Sequence, residues 1–196
     1  MKLNKFLGFI ALPFLAVTLV AQEVEEVVIT GSYIKSSPTD GASPVEIIGR
    51  DEIDNLNATT IADITANIAV NSGSENNSDS FTQGSTQGTS KINLRGLGLS
   101  STLVLVDGKR HTLAANTAND GSVFVNTSSI PVIALDRVEV LKEGAASIYG
   151  SDAVAGVVNY ILRKDFTGVE VEVSSQEADI GGQTDDRLGV IWGVEG

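Results

Sequence analysis

His111 is the only histidine among the 196 residues, and the chain has no cysteine. A multi-histidine or thiolate metal centre therefore has no ligands to draw on. Serines are plentiful, so a Ser-His-Asp triad can be written down. No G-x-S-x-G elbow exists to present the nucleophile, and His111 borders a polar stretch where it reads as an exposed loop residue. Arg95-Gly96-Leu97-Gly98 resembles a dinucleotide-binding turn only in part, because the third glycine and the following helix are missing. The expectation is a protein that is not an enzyme and needs no cofactor and no metal. What remains is the chemistry of backbone recognition. Val27-Val28-Ile29-Thr30 is a β-branched run behind Glu23, Glu25 and Glu26 and ahead of Gly31-Ser32. β-Branching favours the extended state, and the acids and Gly-Ser-Pro surroundings keep an unpaired strand soluble. Its partner is either another chain or the chain's own sheet.

The elements around this run begin with an export signal. Lys2 and Lys5 precede an apolar stretch from Phe6 to Val20 that Pro13 interrupts. That length suits a signal peptide at 1–21 rather than a spanning helix. Removing it takes two of the 13 basic residues and leaves 25 acidic ones, a net charge of −14. Nucleic acid is excluded as a partner, since phosphate binding needs a basic patch. A mature chain of roughly 175 residues can bury one real core.

Residues 22–43 read as an extended tail. Pro44–Ile48 alternates as a short strand, and Asp51 is placed to cap a short helix over 52–56. Thr60 and Asp63 resemble a capping box, followed by Ile61, Ile64 and Ile68 at helical spacing. Residues 71–90 and 112–122 are polar and read as surface loops. Between them Leu103–Val106 reads as a strand buried on both faces, closed by a tight Asp107-Gly108 turn. Pro131 starts a helical turn at 130–135. "DRVEVLKEG" reads as a half-buried strand, with Val138 and Val140 inward and Arg137 and Glu139 on a solvated face. "AASIYG" is a short helix ended by Gly150, and "AGVVNYIL" another apolar strand. Over 167–196, Val169, Val171 and Val173 alternate with Glu170 and Glu172, then a polar turn leads to "RLGVIWGVEG". Ten-residue alternating segments with an aromatic suit either an outer-membrane barrel wall or a soluble hairpin.

"VEEVVITGSYIK", "SPVEIIGRDEI", "INLRGLG", "TLVLVDGKRH" and "SIPVIALDRVEVLKEGAASIYGSDAVAGVVNYILRKDF", in this order, resemble the plug domain of TonB-dependent outer-membrane receptors. The resemblance runs over about residues 24–196 and is most specific from Ser129 to Phe166. It implies an α+β plug with a small mixed β-sheet and short helices at 44–166, followed at 167–196 by the first one or two strands of an outer-membrane β-barrel. It implies a TonB box at Glu26, Val27, Val28, Ile29 and Thr30. There the periplasmic domain of TonB would add a strand, with backbone bonds supplying affinity.

The same resemblance places Arg95, Arg137 and Glu139 as ionic contacts between plug and barrel. Asn76, Phe81, Arg110, His111 and Asn116 then lie on ligand-facing loops. The implied ligand is a scarce nutrient such as an iron chelate, vitamin B12 or an oligosaccharide, and the implied location is the outer membrane. Receptors of this type surround the plug with a barrel of about 22 strands, and 167–196 holds two at most. The expectation is a truncated portion of a receptor that is not transport-competent by itself. An isolated periplasmic module that binds TonB or ligand without transport is the alternative.

Overall fold

The computed structural model describes residues 30, 45–72, 84, 86–143, 145–177 and 184–194. Five strands form one mixed sheet: β1 (Val45–Gly49), β2 (Thr102–Val106), β3 (Lys109–Arg110), β4 (Leu135–Leu141) and β5 (Gly156–Leu162). Their order is β1-β4-β5-β2-β3. Only the β2–β5 pair is parallel. The parallel pair needs a long crossover, and β4 lies within it.

Strand β1 runs straight into helix α1 (Arg50–Asn55) through Gly49, whose backbone is extended at φ −76 and ψ 171. The helix thus starts two residues earlier than Asp51 suggested. Asp51 sits in the first turn, and no side chain caps the end. Arg50 ties the start of the helix to the chain leading into β4, its Nη1 donating to Val132 O at 3.0 Å and Leu135 O at 3.3 Å. Helix α2 (Ile61–Ala66) carries the capping box as expected. Thr60 Oγ1 accepts from the Asp63 N–H at 3.2 Å, and Asp63 Oδ2 accepts from the Thr60 N–H at 2.8 Å.

The sheet buries both faces. On one, Ile48, Val104, Val138, Val140, Val158 and Tyr160 pack beneath the helical Ile53, Ile61 and Ile64 and the adjoining Ile68. On the other, Leu103, Leu105, Leu141 and Val157 are covered by Ala145 and Ala153. Ala145 directly precedes helix α3 (Ala146–Tyr149), and Ala153 ends the turn Ser151–Ala153. Two sequence expectations change here. Strand β4 is not half-buried, because Glu139 has 0% exposure; β4 lies inside the sheet between β1 and β5. The polar loops are also not wholly superficial. Thr86 and Ser90, at the end of 71–90, are buried. Ala118, from 112–122, packs with Leu99 and Phe124 in a small separate core. Lys91 is buried too, its Nζ donating to Thr86 Oγ1 at 2.9 Å and lying 5.0 Å from the Phe124 ring centre.

Strands β6 (Gly168–Glu177) and β7 (Thr184–Gly193) form a separate antiparallel hairpin. Its register sets Val169 opposite Trp192, Val171 opposite Val190 and Val173 opposite Leu188. All six are exposed and share one face, since partners in register lie on the same side. The other face touches the domain. Glu170 accepts from Arg163 Nη1 at 3.0 Å, and the same nitrogen donates to Ile133 O at 3.2 Å. The Arg163 guanidinium also stacks 4.4 Å from the Phe166 ring centre.

Gly156, at the start of β5, shows how tightly the sheet is assembled. Its φ is +140, and a Cβ there would stand 2.5 Å from Leu141 O and 2.7 Å from Leu94 Cδ1. Gly121 also has a positive φ, +82, but nothing lies within 4 Å of its missing Cβ. Gly156→Ala should therefore cost about 3 kcal/mol and Gly121→Ala about 1 kcal/mol. Urea denaturation of the two variants checks the difference, and equal costs would contradict the packing described.

Candidate functional site

β4 and β5 pair so that Glu139 lies directly opposite Asn159. Both side chains are fully buried. They lie on the sheet face whose other half is the Leu103–Leu105–Val157 cluster, so that face is apolar at one end and polar at the other. A buried carboxylate and a buried amide each cost several kcal/mol unless their hydrogen bonds are made, and here they are.

Arg137, two residues along β4 and therefore on the same face, donates from Nε to Glu139 Oε1 at 2.9 Å. Its Nη1 also reaches Asp136 Oδ2 at 2.7 Å. The second oxygen of Glu139 accepts from Thr30, both from the backbone N–H at 3.1 Å and from the hydroxyl. Asn159 Nδ2 donates to that same hydroxyl oxygen at 2.9 Å. Asn159 Oδ1 accepts from the Gly108 N–H at 3.0 Å. Thr30 is itself buried, at 3% exposure. The sheet thus carries a polar socket built by Arg137, Glu139 and Asn159, and Thr30 is seated in it.

A second set of residues lies around β3. Asp107 (φ 50) and Gly108 (φ 75) are both left-handed and turn the chain from β2 into β3. Asp107 Oδ1 accepts from the Leu162 N–H at 3.1 Å, which ties the turn to the end of β5. The turn delivers Arg110 to Asp152 and to the Tyr149 carbonyl, with both of which it hydrogen-bonds. The Arg110 guanidinium bonded to Asp152 holds that carboxyl below the usual carboxylate range, and Asp152 in turn raises Arg110. Beside them is a groove of about 260 Å³ lined by Leu103, Arg110, His111, Leu113, Phe124 and Asp152. His111 is half-buried at its rim. Its N–H extends the pairing by donating to Val104 O at 3.2 Å, and Nδ1 lies 3.1 Å from Thr112 O.

The structure distributes the sequence-derived candidates unevenly. Arg137 and Glu139 come together and bond each other, with Thr30 on the same carboxylate. Arg95 is elsewhere: it is exposed, adopts φ 58, and donates from Nη2 to Val154 O at 3.0 Å. Arg110 and His111 share the groove, and Asn116 is exposed on the following loop. Glu26, Val27, Val28, Ile29, Asn76 and Phe81 lie outside the described residues. Sequence reasoning missed Asn159 and Asp152. Asn159 had a signal, being the one polar residue in the apolar run "GVVNYIL". Asp152 had none, because its pairing with Arg110 spans 42 residues.

The family model described as "TonB-dependent Receptor Plug Domain" matches residues 37–157. The chain is 32% identical over 179 residues to the vitamin B12 transporter BtuB of Vibrio vulnificus, covering 90% of this chain and 26% of that protein. It is 41% identical over 78 residues to an iron-regulated outer membrane virulence protein of Vibrio cholerae, covering 39% of this chain and 12% of that protein. Among solved structures, the siderophore receptor PirA of Acinetobacter baumannii superposes with a TM-score of 0.53 at 27% identity, over 74% of this chain and 21% of that one. The matched part is thus about a quarter or less of each of these proteins.

Glu139→Ala should destabilise the chain by about 2 kcal/mol, because it strands the donors aimed at the carboxylate. The loss stays below that of a fully isolated pair because Arg137 keeps Asp136. Glu143→Ala, at an exposed position, should stay within about 0.5 kcal/mol. Denaturant midpoints of both variants check this; a neutral Glu139→Ala would mean that the socket contributes nothing to the fold.

Proposed function

The chain belongs to the family of TonB-dependent receptor plug domains, and from that membership we propose that it acts in energy-coupled uptake of a scarce nutrient across the outer membrane. The observation that carries this reading is Thr30, the last residue of the Glu26–Thr30 run, seated in the Arg137–Glu139–Asn159 socket. A TonB box needs two alternative partners: the plug when idle and the TonB periplasmic domain when engaged. Thr30 has the first of these. Its N–H is committed to Glu139, so strand addition by TonB at Thr30 competes with the socket for that donor.

The nutrient side of the plug is the groove at Arg110 and His111, with Asn116 on the following loop. The names of a relative, a vitamin B12 transporter, and of a solved structure, a siderophore receptor, point to vitamin B12 or an iron chelate as the class of ligand; an oligosaccharide is the other class such a plug would serve. Such a plug transmits force and does no bond chemistry. In this reading Arg95 is an ionic contact to the surrounding barrel, being exposed, whereas Arg137 and Glu139 serve the socket. The β6–β7 hairpin begins that barrel. Its exposed row of Val169, Val171, Val173, Leu188, Val190 and Trp192 has the apolar-out alternation of a wall facing lipid, and Trp192 suits the interfacial belt.

Val28→Pro tests the reading. Proline removes a backbone N–H and fixes φ, which blocks strand addition at that residue. Binding of the TonB periplasmic domain to the full chain should be lost while the thermal midpoint barely moves. Val28→Thr keeps β-branching and backbone pairing and should bind nearly as the parent does. A large drop in melting with unchanged TonB affinity would show that Val27–Thr30 is an internal strand.

A further inference from the structure

We propose that Asn159 is a coupling residue, which links the position of the Asp107-Gly108 turn to the seating of Thr30. The proposal rests on the reading of Glu26–Thr30 as the segment TonB engages. Asn159 sits in the fully buried stretch of β5, between Val158 and Tyr160. Its amide has two bonds, and neither belongs to the sheet ladder. Oδ1 accepts from the Gly108 N–H at 3.0 Å, 51 residues away, and Nδ2 donates to Thr30 Oγ1 at 2.9 Å, 129 residues away. A backbone N–H can only donate, so Gly108 fixes which end of the amide faces the turn. The other end must then point its donor at Thr30.

The bonds form a directed series. The Gly108 N–H donates to Asn159, Asn159 to the Thr30 hydroxyl, and that hydroxyl to Glu139. Hydrogen bonds in such a chain polarise and strengthen one another in a buried setting. One end is anchored at the turn that holds Arg110 in the groove, and the other at Thr30 in its socket. Asn159 stands on a central strand paired on both sides, with β4 and with β2, so it cannot follow either end. A ligand that draws Arg110 and the turn away from Asp152 takes the Gly108 N–H off Asn159. The amide is then free to rotate, and the donor held toward Thr30 loses its fixed direction.

The socket is built to survive the departure of Thr30. Arg137, Glu139 and Asn159 are polar and tolerate water, whereas the Leu103–Leu105–Val157 half of the same face has its own permanent cover from Ala145 and Ala153. Only the polar half lies under a segment that must leave. Coupling between the two ends is reciprocal, so unseating Thr30 must also loosen the turn.

Residue-resolved amide hydrogen exchange on the full chain, by NMR in detergent, tests the link without TonB or ligand. Thr30→Val removes the hydroxyl at constant shape and should speed exchange of the Gly108 amide about fivefold, the worth of one hydrogen bond. Asn159→Asp keeps an acceptor for Gly108 but replaces the donor to Thr30 with a carboxylate facing Glu139. It should leave the Gly108 amide protected, expose the Thr30 amide, and abolish the effect of adding Thr30→Val. The Val104 and Val158 amides in the ladder should not change in any variant. If Gly108 exchange is unaltered by Thr30→Val, or if Val104 and Val158 accelerate equally, Asn159 only holds the fold together and the proposal is overturned. Should Asn159→Asp fail to fold, Thr30→Val decides alone. Because no TonB is present, failure here leaves the Val28→Pro result standing, and failure of that result leaves this one measurable.

Discussion

Glu139 is a carboxylate with no exposure in the middle of a β-sheet, and much of the domain is arranged to make that tolerable. Arg137 supplies the neutralising charge along the same strand. Thr30 supplies two donors from a remote part of the chain. Asn159, across the ladder, orients the threonine hydroxyl rather than bonding the carboxylate itself. A buried ion pair of this kind is close to break-even against its desolvation. Thr30, which completes it, is therefore held by a modest free energy.

The cost of placing charge on the sheet is confined to one half of one face. The opposite face is a continuous apolar layer, with isoleucines from two short helices packed on valines from β2, β4 and β5. Neither helix has more than six residues, and segments that short do not persist in water by themselves. The packing of Ile53, Ile61 and Ile64 and the capping box at Thr60 and Asp63 hold them. The larger apolar core thus lies on the helix-covered side, and a smaller one shares the other face with the socket.

The hairpin is related to the domain differently. Its contact is polar, through Arg163 to Glu170, together with close approaches at Gly189 and Gly193. A Cβ at Gly189 would stand 3.3 Å from Ile133 Cδ1, and one at Gly193 would stand 2.0 Å from Phe166 O. Six of its apolar residues face away from the domain, whereas Ile191, opposite Glu170, lies on the face toward it and is half-buried. A ladder of valines, a leucine and a tryptophan exposed together is a surface made to be covered.

Local pattern determined most of the elements. The capping box, the doubly buried β2, the Asp107-Gly108 turn, the glycine stop after α3 and the alternation of β6 and β7 were all legible, because each depends on residues within a few positions of one another. The mixed sheet with short helices followed from the family motifs. The tertiary structure decided everything that depends on remote partners. Alternation alone put Arg137 and Glu139 on a solvated face, since a period of two says which residues share a side but not what lies over it. That cover, Thr30, is 109 residues from Glu139. Asp51 was displaced as a cap because β1 passes into α1 without a break. The groove pair Arg110–Asp152 and the two-ended role of Asn159 likewise needed the strand order, because only the fold brings positions 30, 108, 139 and 159 within hydrogen-bonding distance.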